Sequence, residues 1–129
     1  MTGAPAVLRR VAVAAAAASA KKGSDIVALD VGDILSITDA FVITSGSNVR
    51  QVRTIVDEIE KAMKEQLSVP PSSVEGLDDA TWVLLDFGDM VVHVFHDETR
   101  AYYELERLWA DAPRIDWEAL VPASQSASA

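Results

Sequence analysis

Between Val49 and Leu67 the apolar residues Val49, Val52, Ile55, Val56, Ile59, Ala62, Met63 and Leu67 recur at three- and four-residue spacing. That period gathers them into one stripe of a helix packed on a sheet. Asn48 stands where a side-chain oxygen can cap the first turn, Gln51 is placed to reach back, and Pro70-Pro71 prevents continuation. Just upstream, Asp39-Ala-Phe-Val-Ile-Thr-Ser45 is a nearly continuous apolar run, which predicts a strand buried on both faces. A buried strand leading through Gly46-Ser47-Asn48 into such a helix requires a layered domain. The chain has 129 residues, half of them hydrophobic, which suits one compact domain with one core.

The flanking segments fill in the layers. Val7 to Lys22 reads as a first helix with Leu8, Val11 and Ala15 on one side, stopping before Gly23. Arg9-Arg10, the run Val11 to Ala18 and Ala18-Ser19-Ala20 imitate a secretory signal. Alanine, however, is a strong helix former and a weak hydrophobe, and the run is too short to span a bilayer. The expectation is an intracellular first helix in a cytoplasmic protein with no membrane contact. Asp25 to Val31 reads as a strand and Ser68 to Asp79 as loop. Thr81 to Asp86 and Met90 to Phe95, joined by Phe87-Gly88-Asp89, read as an antiparallel hairpin. Asp97 is placed to cap a last helix carrying Ala101, Tyr102, Leu105, Leu108 and Trp109 on one stripe, ending at Pro113. The order α-β-β-α-β-β-α predicts an α/β (α+β) domain over residues 1–113: a helix over 1–22, then a small mixed β-sheet packed with helices over 23–113. Residues 114–129 read as a disordered polar tail.

Several chemistries are disfavoured. There are 20 acidic against 11 basic residues, a net charge of −9, so most of the surface repels phosphate and little direct nucleic-acid contact is expected. A basic protein is the better partner. Without cysteine there is neither a disulfide framework nor a thiolate zinc site. His93 and His96 sit on opposite sides of the pleat with no third nitrogen ligand nearby, so no metal site is expected and His93 reads as packed or hydrogen-bonded. Ser45-Gly46-Ser47, between strand and helix, could turn N–H groups toward a phosphate as in nucleotidyltransferases. That chemistry also needs paired carboxylates on a following strand to hold magnesium. The acids that follow, Asp57, Glu58 and Glu60, fall on the outer side of the amphipathic helix, and Asp86 and Asp89 flank a turn. A metal-dependent nucleotidyltransferase is therefore the minor alternative, and neither catalytic residue nor cofactor is expected.

A binding role is better supported. If Trp82, Leu84 and Asp86 share one face of their strand, alongside Val91, His93 and Phe95 or Met90, Val92 and Val94 of the next, both sheet faces are largely apolar. So short a chain has few helices to cover both. An uncovered apolar face edged by Asp86, Asp89, Asp97 and Glu98 would be an interaction patch with aromatic anchors and steering acids. The opposing reading, weighed evenly with it, has helices hiding the whole face.

Ala28-Leu-Asp-Val31, Ile37-Thr-Asp-Ala-Phe-Val-Ile-Thr-Ser-Gly46, Arg50-Gln-Val52, Trp82-Val-Leu-Leu-Asp-Phe-Gly-Asp-Met-Val-Val-His-Val-Phe95 and Tyr103-Glu-Leu-Glu-Arg-Leu-Trp109 together resemble the ribosomal silencing factor family, also called Iojap-related. The resemblance covers Val7 to Pro113 in order and spacing. It implies a nucleotidyltransferase-like fold lacking the catalytic acids. It also implies binding to large-subunit ribosomal protein fourteen at the intersubunit face, which blocks subunit joining and represses translation under nutrient limitation. Carried onto this chain, the contact surface would comprise Trp82, Leu84, Asp86, Phe87, Asp89, Val91 and His93, with Glu98 nearby. A homodimer through the same face, competing with the ribosome, is a further reading. Thr44, where relatives often carry cysteine, and the weakly patterned alanine helix depart from the family.

Overall fold

A computed structural model describes residues 5–121. Helix α1 spans Pro5–Ala20, strand β1 Ser24–Asp30, β2 Ala40–Gly46, helix α2 Val49–Leu67, β3 Ser73–Glu75, β4 Trp82–Asp86, β5 Met90–His96, and the short helices α3, α4 and α5 Asp97–Tyr103, Leu105–Leu108 and Trp117–Leu120. The strands form one mixed sheet in the order β1-β2-β5-β4-β3. The central pair, β2 and β5, is parallel, from Ala40 opposite Met90 to Gly46 opposite His96, and the other pairs are antiparallel. A parallel pair needs a crossover, which α2 and the β3–β4 hairpin supply. Every residue of β2 is buried, as its unbroken apolar run predicts.

Alternation divides the sheet. Ala28, Ala40, Val42, Val83, Leu85, Met90, Val92 and Val94 lie on the face packed by Val52, Ile55, Val56, Ile59 and Met63 of α2 and by α1. The alanine run of α1 belongs to this core. Ala14, Ala15 and Ala18 are fully buried, and their small side chains let the helix sit close to α2 and the strands. Arg10 ties α1 to the β4–β5 turn, donating to the Asp89 carboxylate at 2.6 Å and the Phe87 carbonyl at 3.3 Å. No helix among the described residues is long and apolar enough to cross a membrane.

Four local expectations are corrected. Ser68 to Asp79 is not all loop, since Ser73–Glu75 pairs with β4 and forms the sheet edge. Gln51 accepts from the Ser47 backbone N–H at 2.7 Å, and not from Asn48, while Asn48 caps the Gln51 N–H at 2.8 Å. His96, not Asp97, caps the helix that follows, and that helix breaks at Glu104, whose φ of 47° is left-handed. Its supposed apolar stripe consequently splits: Leu105 is buried, while Tyr102 and Leu108 are 79% and 76% exposed. Finally, the chain stays ordered past Pro113. Arg114 bridges Leu29, and α5 packs on α1 with the Trp117 indole N–H donating to the Ile26 carbonyl at 3.3 Å. The rest of the expected tail, 122–129, lies outside the described residues.

Two glycines test the turn geometry. Gly76 (φ 83°) has the Trp82 carbonyl oxygen 2.1 Å from where a Cβ would stand, whereas Gly88 (φ 91°) has open space there. Gly76→Ala is expected to lower stability by about 3 kcal/mol or more, through strain and backbone collision together. Gly88→Ala should lower it by about 1 kcal/mol through strain alone. Urea unfolding midpoints measure both, and equal losses would contradict the close approach at Gly76.

Candidate functional site

The sheet face turned away from α1 and α2 carries Leu29, Phe41, Ile43 and Phe95, closed in part by Leu105 and Ala112 and flanked by the partly buried Val27, Leu35, Trp82, Val91 and Trp109. Cross-strand register gathers the expected set: Trp82 opposes Phe95, Leu84 opposes His93, and Asp86 opposes Val91. Trp82, Leu84, Asp86 and Val91 are all half-buried, while their intervening neighbours Val83, Leu85 and Val92 are sealed beneath the helices. The face is thus covered toward β1 and β2 and half-open toward β4. Of the two register alternatives in the sequence, Val91, His93 and Phe95 are the set that joins Trp82, and Met90, Val92 and Val94 are the core.

The rings form a connected cluster. Trp82 lies 4.8 Å from Phe95 and 5.0 Å from Tyr103, and Tyr103 meets Tyr102 edge-on at 5.0 Å. Phe41 meets His93 at 4.8 Å and Trp109 at 5.4 Å, both edge-on. At its centre the Trp82 indole N–H donates to His93 Nδ1 at 3.1 Å. Trp82 and His93 are diagonal neighbours on adjacent strands, a distance that long aromatic side chains span. Burial lowers the His93 pKa to about 4, so the ring is neutral at physiological pH. Its Nε2 is buried without a hydrogen-bond partner among the described residues. Such a group costs about 1–3 kcal/mol.

Two expected contact residues are placed elsewhere. Phe87 is buried in the core under the helices, 5% exposed, because alternation continues from Val83 and Leu85 through it. Asp89 is engaged by Arg10. Glu98 is exposed on the first turn of α3. Register adds a residue that the loop reading concealed: Glu75 of β3 opposes Leu84 and is exposed on the same face. Ile37, Tyr102, Tyr103 and Leu108, from 52% to 82% exposed, are further apolar groups at the surface, of which periodicity places Tyr102 and Leu108 on the helix stripe and leaves Ile37 and Tyr103 unassigned.

The turn Ser45-Gly46-Ser47 is already occupied. The Ser47 N–H and hydroxyl both donate to Gln51 Oε1, and Ser45 Oγ accepts from Arg100 at 3.1 Å. Arg100, buried, also donates to the Ser24 and Asp25 carbonyls at 3.0 and 2.7 Å and grips both oxygens of Glu106 at 3.4 and 2.9 Å. Burial pushes the Glu106 carboxyl up, but the hydrogen bond and charge of Arg100, with Arg114 behind them, hold it below its ordinary value. A cleft of about 550 Å³ opens here, and Asp25, Asp97, Glu104 and Glu106 line it around the saturated Arg100, with Arg107 paired to Glu104 at 3.5 Å. Acids around a committed guanidinium make poor surroundings for a phosphate. Among the described residues, no group of three or more His, Asp or Glu side chains is arranged to hold a metal ion.

The architecture defines a small mixed α/β domain in which helices seal one sheet face and leave an aromatic surface half-open on the other. The profile of the family described as "Ribosomal silencing factor during starvation" matches residues 4–129. The ribosomal silencing factor of Bacillus subtilis is 46% identical over 104 residues, covering 81% of this chain and 87% of that protein. The crystal structure of a Bacillus halodurans protein superposes with a TM-score of 0.70 at 41% identity, covering 81% of this chain and 93% of that one. A mouse protein named for mitochondrial assembly of the ribosomal large subunit is 40% identical over 87 residues, covering 66% of this chain and 38% of its own length. This chain belongs to the ribosomal silencing factor family.

Two predictions follow from the site's charges. Because His93 in the folded chain refuses a proton that the unfolded chain takes up near the ordinary histidine pKa of 6.5, its contribution is whole above that pH. It is lost as pH falls toward 4, by about 3 kcal/mol in total. His93→Phe should remove this part of the acid sensitivity in denaturation curves recorded across that range. Arg100→Met leaves the Glu106 carboxylate and the Asp25 carbonyl without this donor, while Ser24 keeps the Thr44 hydroxyl, and thermal unfolding should register a loss of about 2–4 kcal/mol. Arg100→Lys should restore little of it, since an ammonium cannot reproduce the fork.

Proposed function

We propose that this chain represses translation by occupying the large ribosomal subunit, with the half-open sheet face as its docking surface and no chemical step. The observation that carries the reading is the alignment of Trp82, Leu84, Asp86 and Val91 on one half-buried face beside His93. Family membership supplies the ribosome, and the mouse relative's name supplies the large subunit. The partner is a basic large-subunit protein, the one numbered fourteen, at the intersubunit face. Glu75, Asp86 and Glu98 steer its approach within a chain of net charge −9. Trp82 and Leu84 supply apolar anchorage. A domain seated there excludes the small subunit by volume, which needs affinity and position alone. Phe87, buried in the core, supports this surface from behind, and Asp89 is held by Arg10 at the β4–β5 turn. A cytoplasmic location follows from this role.

Sedimentation with purified large subunits tests the docking, and failure to co-sediment at moderate salt would sink it. Trp82→Ala should weaken binding by about 1–4 kcal/mol, and Asp86→Lys should mainly slow association. Phe87→Ala should lower stability while leaving the affinity of the folded fraction unchanged. Retained affinity in both the Trp82 and Asp86 variants would put the interface elsewhere. Calorimetry with nucleotide and magnesium should register no heat, and a signal abolished by mutating Gly46 would favour the transferase alternative.

A further inference from the structure

The Trp82 indole nitrogen is a donor only, so His93 Nδ1, which receives its hydrogen at 3.1 Å, is the acceptor nitrogen of the ring. The proton of the neutral imidazole therefore resides on Nε2, and that N–H is buried without an acceptor among the described residues. Nε2 is also the ring nitrogen farther from the backbone, and His93 projects from the sheet face opposite the helices that hold Val92 and Val94. A donor of fixed tautomer is thus stored just beneath the half-open surface.

We propose that docking supplies an uncharged carbonyl oxygen of the partner to this Nε2–H, making His93 a specificity-determining contact and not a core filler. The inference rests on the docking reading above and names the partner chemistry that the same face selects. Carboxylates are disfavoured as the acceptor because Glu75, Asp86 and Glu98 border or flank the face and repel anions. A backbone carbonyl of a basic protein meets both requirements. In the free chain the atom is shielded, so docking uncovers it by turning a flanking side chain. A donor already buried unpaired in the free chain is relieved only by a partner that brings the acceptor, and a wrong partner forgoes that gain.

The test measures the affinity of the full chain for purified large ribosomal subunits, with each variant's folding checked by thermal melting. His93→Phe keeps a ring but removes both the Nε2 donor and the Nδ1 acceptor of the Trp82 indole. It should bind about tenfold or more weakly, while melting close to the parent because loss of the orphaned Nε2–H offsets the bond lost by Trp82. His93→Gln places an amide N–H where Nε2 stands, and His93→Asn places one where Nδ1 stands. Gln should therefore recover affinity that Asn does not. Phe binding as tightly as the parent, or Gln and Asn binding alike, overturns the proposal while leaving docking intact. If the Phe variant fails to fold, the Gln and Asn pair decides alone. An unmodified chain that ignores large subunits overturns the docking reading and this inference with it.

Discussion

The parallel pairing of β2 with β5 at the centre of the sheet constrains everything around it. A parallel pair carries apolar residues on both faces and must be buried on both. One face is sealed by α1 and α2. For the other, the described residues supply only α3, α4 and the segment through Ala112, which cover the β1 and β2 side and reach β4 just at Trp82, through Tyr103. The half-open aromatic surface is what remains when a sheet of this kind is built from too few helices. The same shortage leaves Trp82 and Leu84 half-buried on the surface proposed for docking.

Much of this was legible in the residues. The helix over Val49 to Leu67 and the buried strand before it stand where periodicity and the continuous apolar run place them. The hairpin through Met90 is equally clear. Its alternation already groups Trp82, Leu84 and Asp86, and carried one step further it assigns Phe87 to the core beside Val83 and Leu85. That step is easily lost because Phe87 begins the turn. β3 was hidden because three residues are too few to display a period, and its place at the edge is fixed by pairing with β4 rather than by its own composition. The break at Glu104 was hidden too, since no glycine or proline marks the left-handed residue.

Arg100 explains why that break is tolerated. Its guanidinium bonds the start of β1, Ser45 on β2 and Glu106 beyond the kink, so the strained segment is pinned on both sides. The position corresponds to no sequence motif. Its five donors are satisfied by groups 55 and 76 residues away as well as by its near neighbour, a convergence that only the fold assembles. The same saturation turns what would be a nucleotide-like cleft into a structural joint.

The tie between Arg10 and the β4–β5 turn spans 79 residues of sequence. A ribosome makes α1 first and β5 late, so the opening helix emerges well before the strands and turn that will shelter it. For that interval its inward side is exposed to every other nascent chain. Alanine suits such a wait: beside the buried Val7, Val11 and Val13, the residues Ala14, Ala15 and Ala18 favour the helix through propensity while adding little grease for mistaken company. The side chains that permit close packing at the end of folding are the same ones that keep the unfinished chain discreet.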